Sequence, residues 1–442
     1  MNADSKTARP PALISKLLEK LDALTKNQTS FPTTVSVPAE NLDPWQWLHA
    51  NQGTQRMIWS HRQSPAITAG VGTAASVNIE AHGDASTCIS NCRSLLQGNS
   101  QLKFYGGLSF DGSDHWESFG AGRFVIPRVE LTGNTLTLAV MDAEDIERAR
   151  TDLGQIRCEA EPFDEQLPPP VASSYSPTFD GWQSRIDEAL SLIRSEVPEK
   201  IVLSRQTKLN FTKPLNPIAL TSRLKATTHD CFVFCFDFGQ GNAFVGATPE
   251  QLFHRKGRLL QSEVVAGTRM RGETPTEDEK LAIELLTSDK DQREHDIVRK
   301  SIRQKLHKFV DHLEVDDQAS ILRLAQKQHL QSNVRGELKT GVDDGMLLDR
   351  LHPTPAVGGY PTDNALPEIA RIEPFNRGWY AAPIGWIGSE SSQFVVGIRS
   401  GLVAGKALSL YSGAGIVRGS EPDQEWQEVE NKIRDFISVL GT

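Results

Sequence analysis

The chain has 442 residues, with 47 basic against 56 acidic side chains and a formal charge of −9. A hydrophobic share of 38% and a charged share of 23% are globular values, with ample material for one large unit or two domains. No basic block is present to release counterions from phosphates, which argues against nucleic acid or an anionic membrane as partner.

The opening segment, MNADSKTARPPALISKLLEKLDAL, has no apolar signal region, and no run of about 18 apolar residues follows it. Five cysteines, an odd number without zinc-finger spacing, fit a reducing compartment, so a soluble, cytoplasmic protein is expected. Ile14, Leu17, Leu18, Leu21 and Leu24 predict an amphipathic helix. FYGGLSFD (104–111), RFVIPRVEL (123–131) and NTLTLAVMD (134–142) then alternate as strands. EQLPPPVASSYSPT (165–178), with four prolines, reads as a linker. It divides a β-rich part with a leading helix, residues 1–165, from a motif-rich part, residues 166–442, the first being integral to the same fold.

A helix is predicted from Phe179 to about Glu196, with Trp182, Ile186, Leu190 and Ile193 on one stripe. EKIVLSRQT (199–207) follows as a strand, placing Lys200, Val202 and Ser204 on one face and Ile201, Leu203 and Arg205 on the other. Each face carries a cation among apolar neighbours. Burying one unpaired costs roughly several kcal/mol, so Lys200 is a snorkelling residue, a salt-bridge partner or a base. More strands surround CFVFCFDF, AFVGATPEQLF and GRLLQSEVVAG. TPTEDEK, with Thr276 and Glu279 in capping-box register, starts a helical region that turns Ile297, Ile302, Leu306 and Phe309 to a core. Strands around GWYAAPIGWIG, SQFVVGIRSGLVAG and ALSLYSGAGIV precede a last helix, Glu421 to Leu440. Consecutive strands with short turns predict an α+β fold: large, mostly antiparallel sheets packed with helices on the outside.

Several groups could carry chemistry. Asp291 and Glu294, and likewise Glu425 and Glu428 with Lys432 one turn on, project from common helix faces. Such pairs are either solvated faces or an oxygen site for a hard cation such as Mg²⁺. Glu250, after Pro249 at a strand edge in an apolar setting, is a turn residue or a general acid with a raised pKa. LHPTPAVGGYP (351–361) is rigid, and His352 in it is a substrate ligand or merely hydrogen-bonded. SGAGIV (412–417) is an anion-binding nest or a tight turn. Arg399, sharing strand parity with Val395 and Gly397, is placed to meet a carboxylate.

In this order EKIVLSR, GATPEQL, VVAGTRMRG, DKDQREH, LHPTPAVGG, RGWYAAPIGW, VVGIRSG and SGAGIVRGSEPDQEWQEVENK resemble the chorismate-utilising enzymes over roughly residues 40 to 442. Ammonia-using members carry glutamine where this chain has Lys200. HPTPAVGG is similar to isochorismate synthases, and DPWQWL (43–48) and IWSHR (58–62) to the menaquinone-pathway type. The resemblance implies an isomerase, Mg²⁺-dependent, that interconverts chorismate and isochorismate, with no glutaminase subunit and a monomeric or weakly dimeric state. Salicylate synthase, a siderophore-pathway isochorismate synthase and a non-catalytic chorismate-binding subunit are the alternatives. It further implies Lys200 as the base activating water and Glu250 as the acid protonating the departing hydroxyl. Glu294 and Glu428 would hold Mg²⁺, with Asp291 and Glu425 close behind. Gly267, Thr268, His352, Thr354, Ala356, Tyr380, Arg399, Gly413, Gly415 and Lys432 would bind substrate. One departure is Ala382, where the family has glycine.

Overall fold

Short alternating runs give the chain two large sheets, and its longer amphipathic stretches cover them with helices. In the computed structural model, which describes residues 12–24, 30–158, 165–195, 197–239, 241–324 and 327–440, one sheet has 11 strands and the other 10. The first eleven residues, and Glu196 at the expected end of one helix, lie outside the described residues. The ladders are antiparallel, the longest pairing Ile201–Asn210 with Ala407–Ile416 and Leu259–Met270 with Lys327–Leu338. The α+β expectation therefore holds.

Between the sheets lies a layer rich in aromatic side chains. Trp59, Phe232, Phe234 and Phe244 come from the 11-stranded sheet, and Tyr105, Val125, Ile384 and Val395 from the 10-stranded one. Helices Ala12–Leu24, Pro44–Ala50, Asp145–Gln155 and Pro217–Thr227 share a second core with the first sheet. Ala85–Leu96, Asp289–Leu306 and Asp344–Leu351 share a third with the other sheet. Phe179–Arg194 and Pro422–Val439 bury Trp182, Ile186, Ile193 and Val429 against Ile201, Leu203, Ala414 and Ile416. Each such side chain taken fully from water contributes roughly 1.5–3 kcal/mol. Among the described residues no helix is long and apolar enough to cross a membrane.

The chain passes from one sheet to the other at short breaks that periodicity does not reveal. RFVIPRVEL, expected as one strand, is two: Gly122–Ile126 in the 10-stranded sheet and Val129–Thr132 in the 11-stranded one. Asn242–Thr248 and Gln251–Lys256 likewise lie in different sheets, with Pro249 and Glu250 between them. Ser391–Val396 and Ser400–Ala404 do the same. Arg399 is thus at a crossing and in the left-handed region, φ 49°, rather than on a strand as expected. The two crossings are joined: Val396 N–H donates to Glu250 O at 3.0 Å and Ala247 N–H to Arg399 O at 3.0 Å.

Some helix limits also differ. The cap of Pro275–Thr287 is Thr274, whose hydroxyl accepts from Glu277 N–H, instead of Thr276. Pro275 at the first helical position explains the choice, because its missing N–H needs no partner there. The next helix ends at Leu306, leaving Phe309 beyond it, and Val298 instead of Ile297 is fully buried.

Candidate active site

A cavity of about 330 Å³ opens where the strand carrying Val202, the two crossings, the bulge at Gly267 and the helices Asp289–Leu306 and Pro422–Val439 meet. Of the expected residues, Glu250, Gly267, Thr268, Asp291, Glu294, Ala356, Tyr380, Arg399, Gly413, Gly415, Glu428 and Lys432 line it. Lys200 is not among the lining residues: its side chain is fully buried behind Gly415 and Glu294, and its Nζ donates to Glu294 Oε1 at 2.6 Å. The salt-bridge reading of this lysine is therefore part of its description.

The backbone of Lys200 is fixed by the proline- and glycine-rich segment. Its N–H donates to Tyr360 O at 3.0 Å, and its carbonyl accepts from Tyr360 N–H at 2.8 Å. Gly359 has φ +75° and lies so near that a Cβ there would meet Lys200 O at 2.5 Å, so only glycine fits. On the other strand face Arg205 pairs with Glu430 at 2.5 Å and lies 3.9 Å from the Trp426 ring centroid, a structural role.

Glu250 is 6% exposed. Burial, then the nearby Glu263 carboxylate, pushes its pKa up to about 8 against the opposing pull of Lys200, Lys432 and Arg399. It is a protonated acid at neutral pH. Burial alone would also raise Glu294, but Lys200 above all, then Lys432 and Lys290, hold it below its ordinary value. Burial acts against the charge of Lys432, yet Glu428, 2.6 Å away, raises its pKa, and its Nζ also donates to Gly413 O at 2.9 Å. Glycine is required beside these groups. A Cβ at Gly415 would lie 2.6 Å from Lys200 Cε, and one at Gly413 3.0 Å from Leu203 O.

Four basic lining residues lay outside the sequence reading of the site: Arg269, Lys290, His329 and Arg377. His329 Nδ1 lies 3.0 Å from Gly267 O, which makes it the donor. Burial lowers its pKa to about 3, and Nε2, an acceptor, has no hydrogen-bond partner among the described residues. Arg377 forms a bidentate pair with Glu373 at 2.6 and 2.8 Å and donates to Val357 O and Val202 O. Glu373 in turn accepts from Ser204 N–H at 2.7 Å, tying the Lys200 strand to the segment behind the cavity. Breaking such a buried pair costs roughly 3–5 kcal/mol. A signal existed for both: Lys327, Gln328 and His329 are consecutive buried polar residues on a strand, and Arg377 opens RGWYAAPIGW.

His352 and Thr354 do not line this cavity. The His352 ring packs edge-on against Phe110, hydrogen-bonds Phe110 O at 3.2 Å and borders a different cavity. Thr354 precedes the short helix Pro355–Gly358, its carbonyl accepting from Val357 and Gly358 N–H and its hydroxyl making no cap bond. Ala382 is also absent from the lining: its methyl is fully buried in the apolar core. Asp291 pairs with Arg269 at 3.0 Å, and Glu425 with Lys290 at 3.7 Å.

A hard cation would find Glu294 and Glu428 presented by two helices to one space, with the buried Glu425 Oε1 lacking a hydrogen bond nearby. Among the described residues no group of three or more histidine, cysteine or acidic side chains forms a ready cage. Mg²⁺ suits such a site, since it takes one or two carboxylates and completes its shell with waters and substrate oxygens.

The description "chorismate binding enzyme" matches residues 17–441. The chain belongs to that family. Its relatives include isochorismate synthase 2, chloroplastic, from Arabidopsis thaliana, 34% identical over 98% of this chain and 85% of the relative. Isochorismate synthase MenF from Bacillus subtilis is 35% identical over 76% of this chain and 74% of its own. The solved menaquinone-specific isochorismate synthase MenF from Escherichia coli superposes with a TM-score of 0.86 at 29% identity, covering 97% of this chain and 99% of that one. Within this chorismate-binding family the cationic lining of Arg269, Lys290, Arg399 and Lys432 has an evident use, because chorismate is a dicarboxylate.

Proposed function

We propose that the protein is an isochorismate synthase of the menaquinone type, an isomerase that exchanges a hydroxyl between C4 and C2 of chorismate. The observation that carries this reading is the presence of unlike groups around one cavity: a buried lysine directly behind its lining residues Gly415 and Glu294, and a lining carboxylic acid kept neutral by burial. Water is a weak nucleophile and hydroxide a poor leaving group, so the exchange needs a base and an acid at once. Lys200, in its neutral amine form after the ammonium that pairs with Glu294 has given up a proton, takes a proton from water as the water oxygen bonds to C2. The ring double bond shifts, the C4–O bond breaks, and Glu250 delivers a proton to the departing hydroxyl. One water enters and one leaves, proton exchange with solvent returns Lys200 and Glu250 to their starting states, and the reverse reaction uses the same groups.

Arg399, with Tyr380 and the amides around Gly413 and Gly415, is assigned to one substrate carboxylate, and Glu294 and Glu428 to Mg²⁺. When bound, that ion supplies positive charge to the C1 carboxylate. His329 Nε2 is available to accept a hydrogen bond from a substrate hydroxyl. Lysine at position 200 makes water the nucleophile, so no ammonia-supplying partner belongs to this reading. A cytoplasmic location fits the five free cysteines, all buried.

The test is a product assay with chorismate and Mg²⁺. Isochorismate should accumulate to an equilibrium mixture without pyruvate, EDTA should stop the reaction, and added Mg²⁺ should restore it. Fluorescent salicylate released with pyruvate would instead identify a salicylate synthase, and indifference to chelator would overturn the metal assignment.

A further inference from the structure

Arg62 closes IWSHR, two residues past the strand Arg56–Ser60, and does not line the catalytic cavity. Its guanidinium nevertheless reaches across the fold to the crossing that carries Glu250. NH1 and NH2 donate to Glu263 Oε1 and Oε2 at 2.7 and 2.8 Å, and NH1 donates also to Pro249 O at 3.0 Å. Glu263 Oε1 accepts in turn from Gln251 N–H at 2.8 Å, and Oε2 from Gln331 Nε2 at 2.7 Å. The residue before Glu250 is thus held by the cation of this pair, and the residue after it by the anion.

The pair is built for rigidity. The side chains of Arg62 and Glu263 are 13% and 2% exposed, and the guanidinium lies 5.2 Å from the Phe232 ring centroid. A planar fork satisfies two carboxylate oxygens and a carbonyl together, which a lysine ammonium does not reproduce. Pro249 and Glu250 lie between strands of different sheets and outside both ladders, so beyond the Val396 N–H bond to Glu250 O, side chains supply the restraint there. Glu263 is also the charged group that most favours the protonated form of Glu250.

We propose that Arg62 and Glu263 are positioning residues that clamp Pro249 and Gln251 and so aim the Glu250 carboxyl at the departing hydroxyl. The inference rests on the reading of Glu250 as proton donor. It is tested by steady-state kinetics with chorismate and Mg²⁺ on Arg62→Ala, Arg62→Lys and Glu250→Gln, with thermal melts of each. Misaiming a reacting group by about 1 Å costs about 10²-fold, so Arg62→Ala should lose about that factor in kcat. KM should stay within about threefold, since no substrate contact is removed. Millimolar guanidinium chloride should recover part of the lost kcat, and Arg62→Lys should fall between Arg62→Ala and the natural protein. With Glu250→Gln inactive, unchanged kcat in Arg62→Ala, a loss confined to KM, or no rescue by guanidinium overturns the clamp. Full activity in Glu250→Gln overturns the donor assignment itself, a distinct result. If Arg62→Ala does not melt cooperatively, Arg62→Lys carries the test, and natural kcat there overturns the proposal.

Discussion

Glu250 illustrates how placement decides the chemistry of a single carboxyl group. In the folded protein its pKa is pushed up to about 8 from 4.5, by burial first and Glu263 second. As pH rises through about 8 the proton donor is lost, so kcat should decline on the alkaline side with an apparent pKa near that value. A rate that stays flat well above pH 9 would contradict this, as would an alkaline limb unchanged by Glu263→Gln. Stability follows the same proton. The native state keeps it where the unfolded chain has released it, so this contribution is complete below about 4.5 and is lost as pH rises through about 8. Comparing urea unfolding of the natural protein and Glu250→Gln at several pH values isolates it. Lys200→Ala and Glu250→Gln should each lower kcat by about 10²–10⁴-fold, the usual contribution of one general acid or base, with cooperative melting retained. Natural turnover in either would remove that residue from the mechanism.

At the scale of elements, the strand Ala407–Ile416 keeps glycine where the base must fit. Gly415→Ala would place a methyl 2.6 Å from Lys200 Cε and 3.1 Å from Glu294 Oε1. The lysine end is flexible and yields before backbone does, so the fold should survive while kcat drops about 10²-fold through displacement of Lys200. A crystal structure of the variant with Lys200 unmoved, or natural kcat, would contradict this. Elements were largely legible in the sequence because helix and strand periods are local. Lys200, Val202 and Ser204 share a face as alternation requires, and the HPTPAVGG segment meets the same strand. What local pattern could not reveal was sheet membership. RFVIPRVEL and SQFVVGIRSGLVAG look continuous, yet each divides between two sheets, because pairing partners lie far along the chain. His329 and Arg377 were missed for a related reason: His329 acquires its role only from Gly267, 62 residues earlier, and Arg377 from Val202, 175 residues earlier. Of the two readings of His352 the hydrogen-bonded one describes its place beside Phe110 O, while Ala356 of the same segment lines the cavity.

The whole molecule interleaves its two parts. Arg56–Ser60 pairs with Phe232–Asp237, and Phe104–Leu108 with Pro383–Ile387, so each sheet contains strands from before and after the proline-rich stretch. A fragment of residues 166–442 would expose both partner edges and part of the aromatic layer. We expect it to aggregate and to lack a cooperative melt, while co-expression with residues 1–165 recovers soluble material. A monomeric, cooperatively folding fragment on size-exclusion chromatography and circular dichroism would show the parts to be separable.

The two bonded crossings have a mechanical consequence. Glu250 and Arg399 are hinge pins between plates, while the Lys200 backbone belongs to one plate and its ammonium is tied by Glu294 to a helix packed on the other. A change in the gap between the plates would therefore be felt at the donor, the anchor and the base together. The aromatic layer between the two sheets is then the spacer on which the alignment of all three depends.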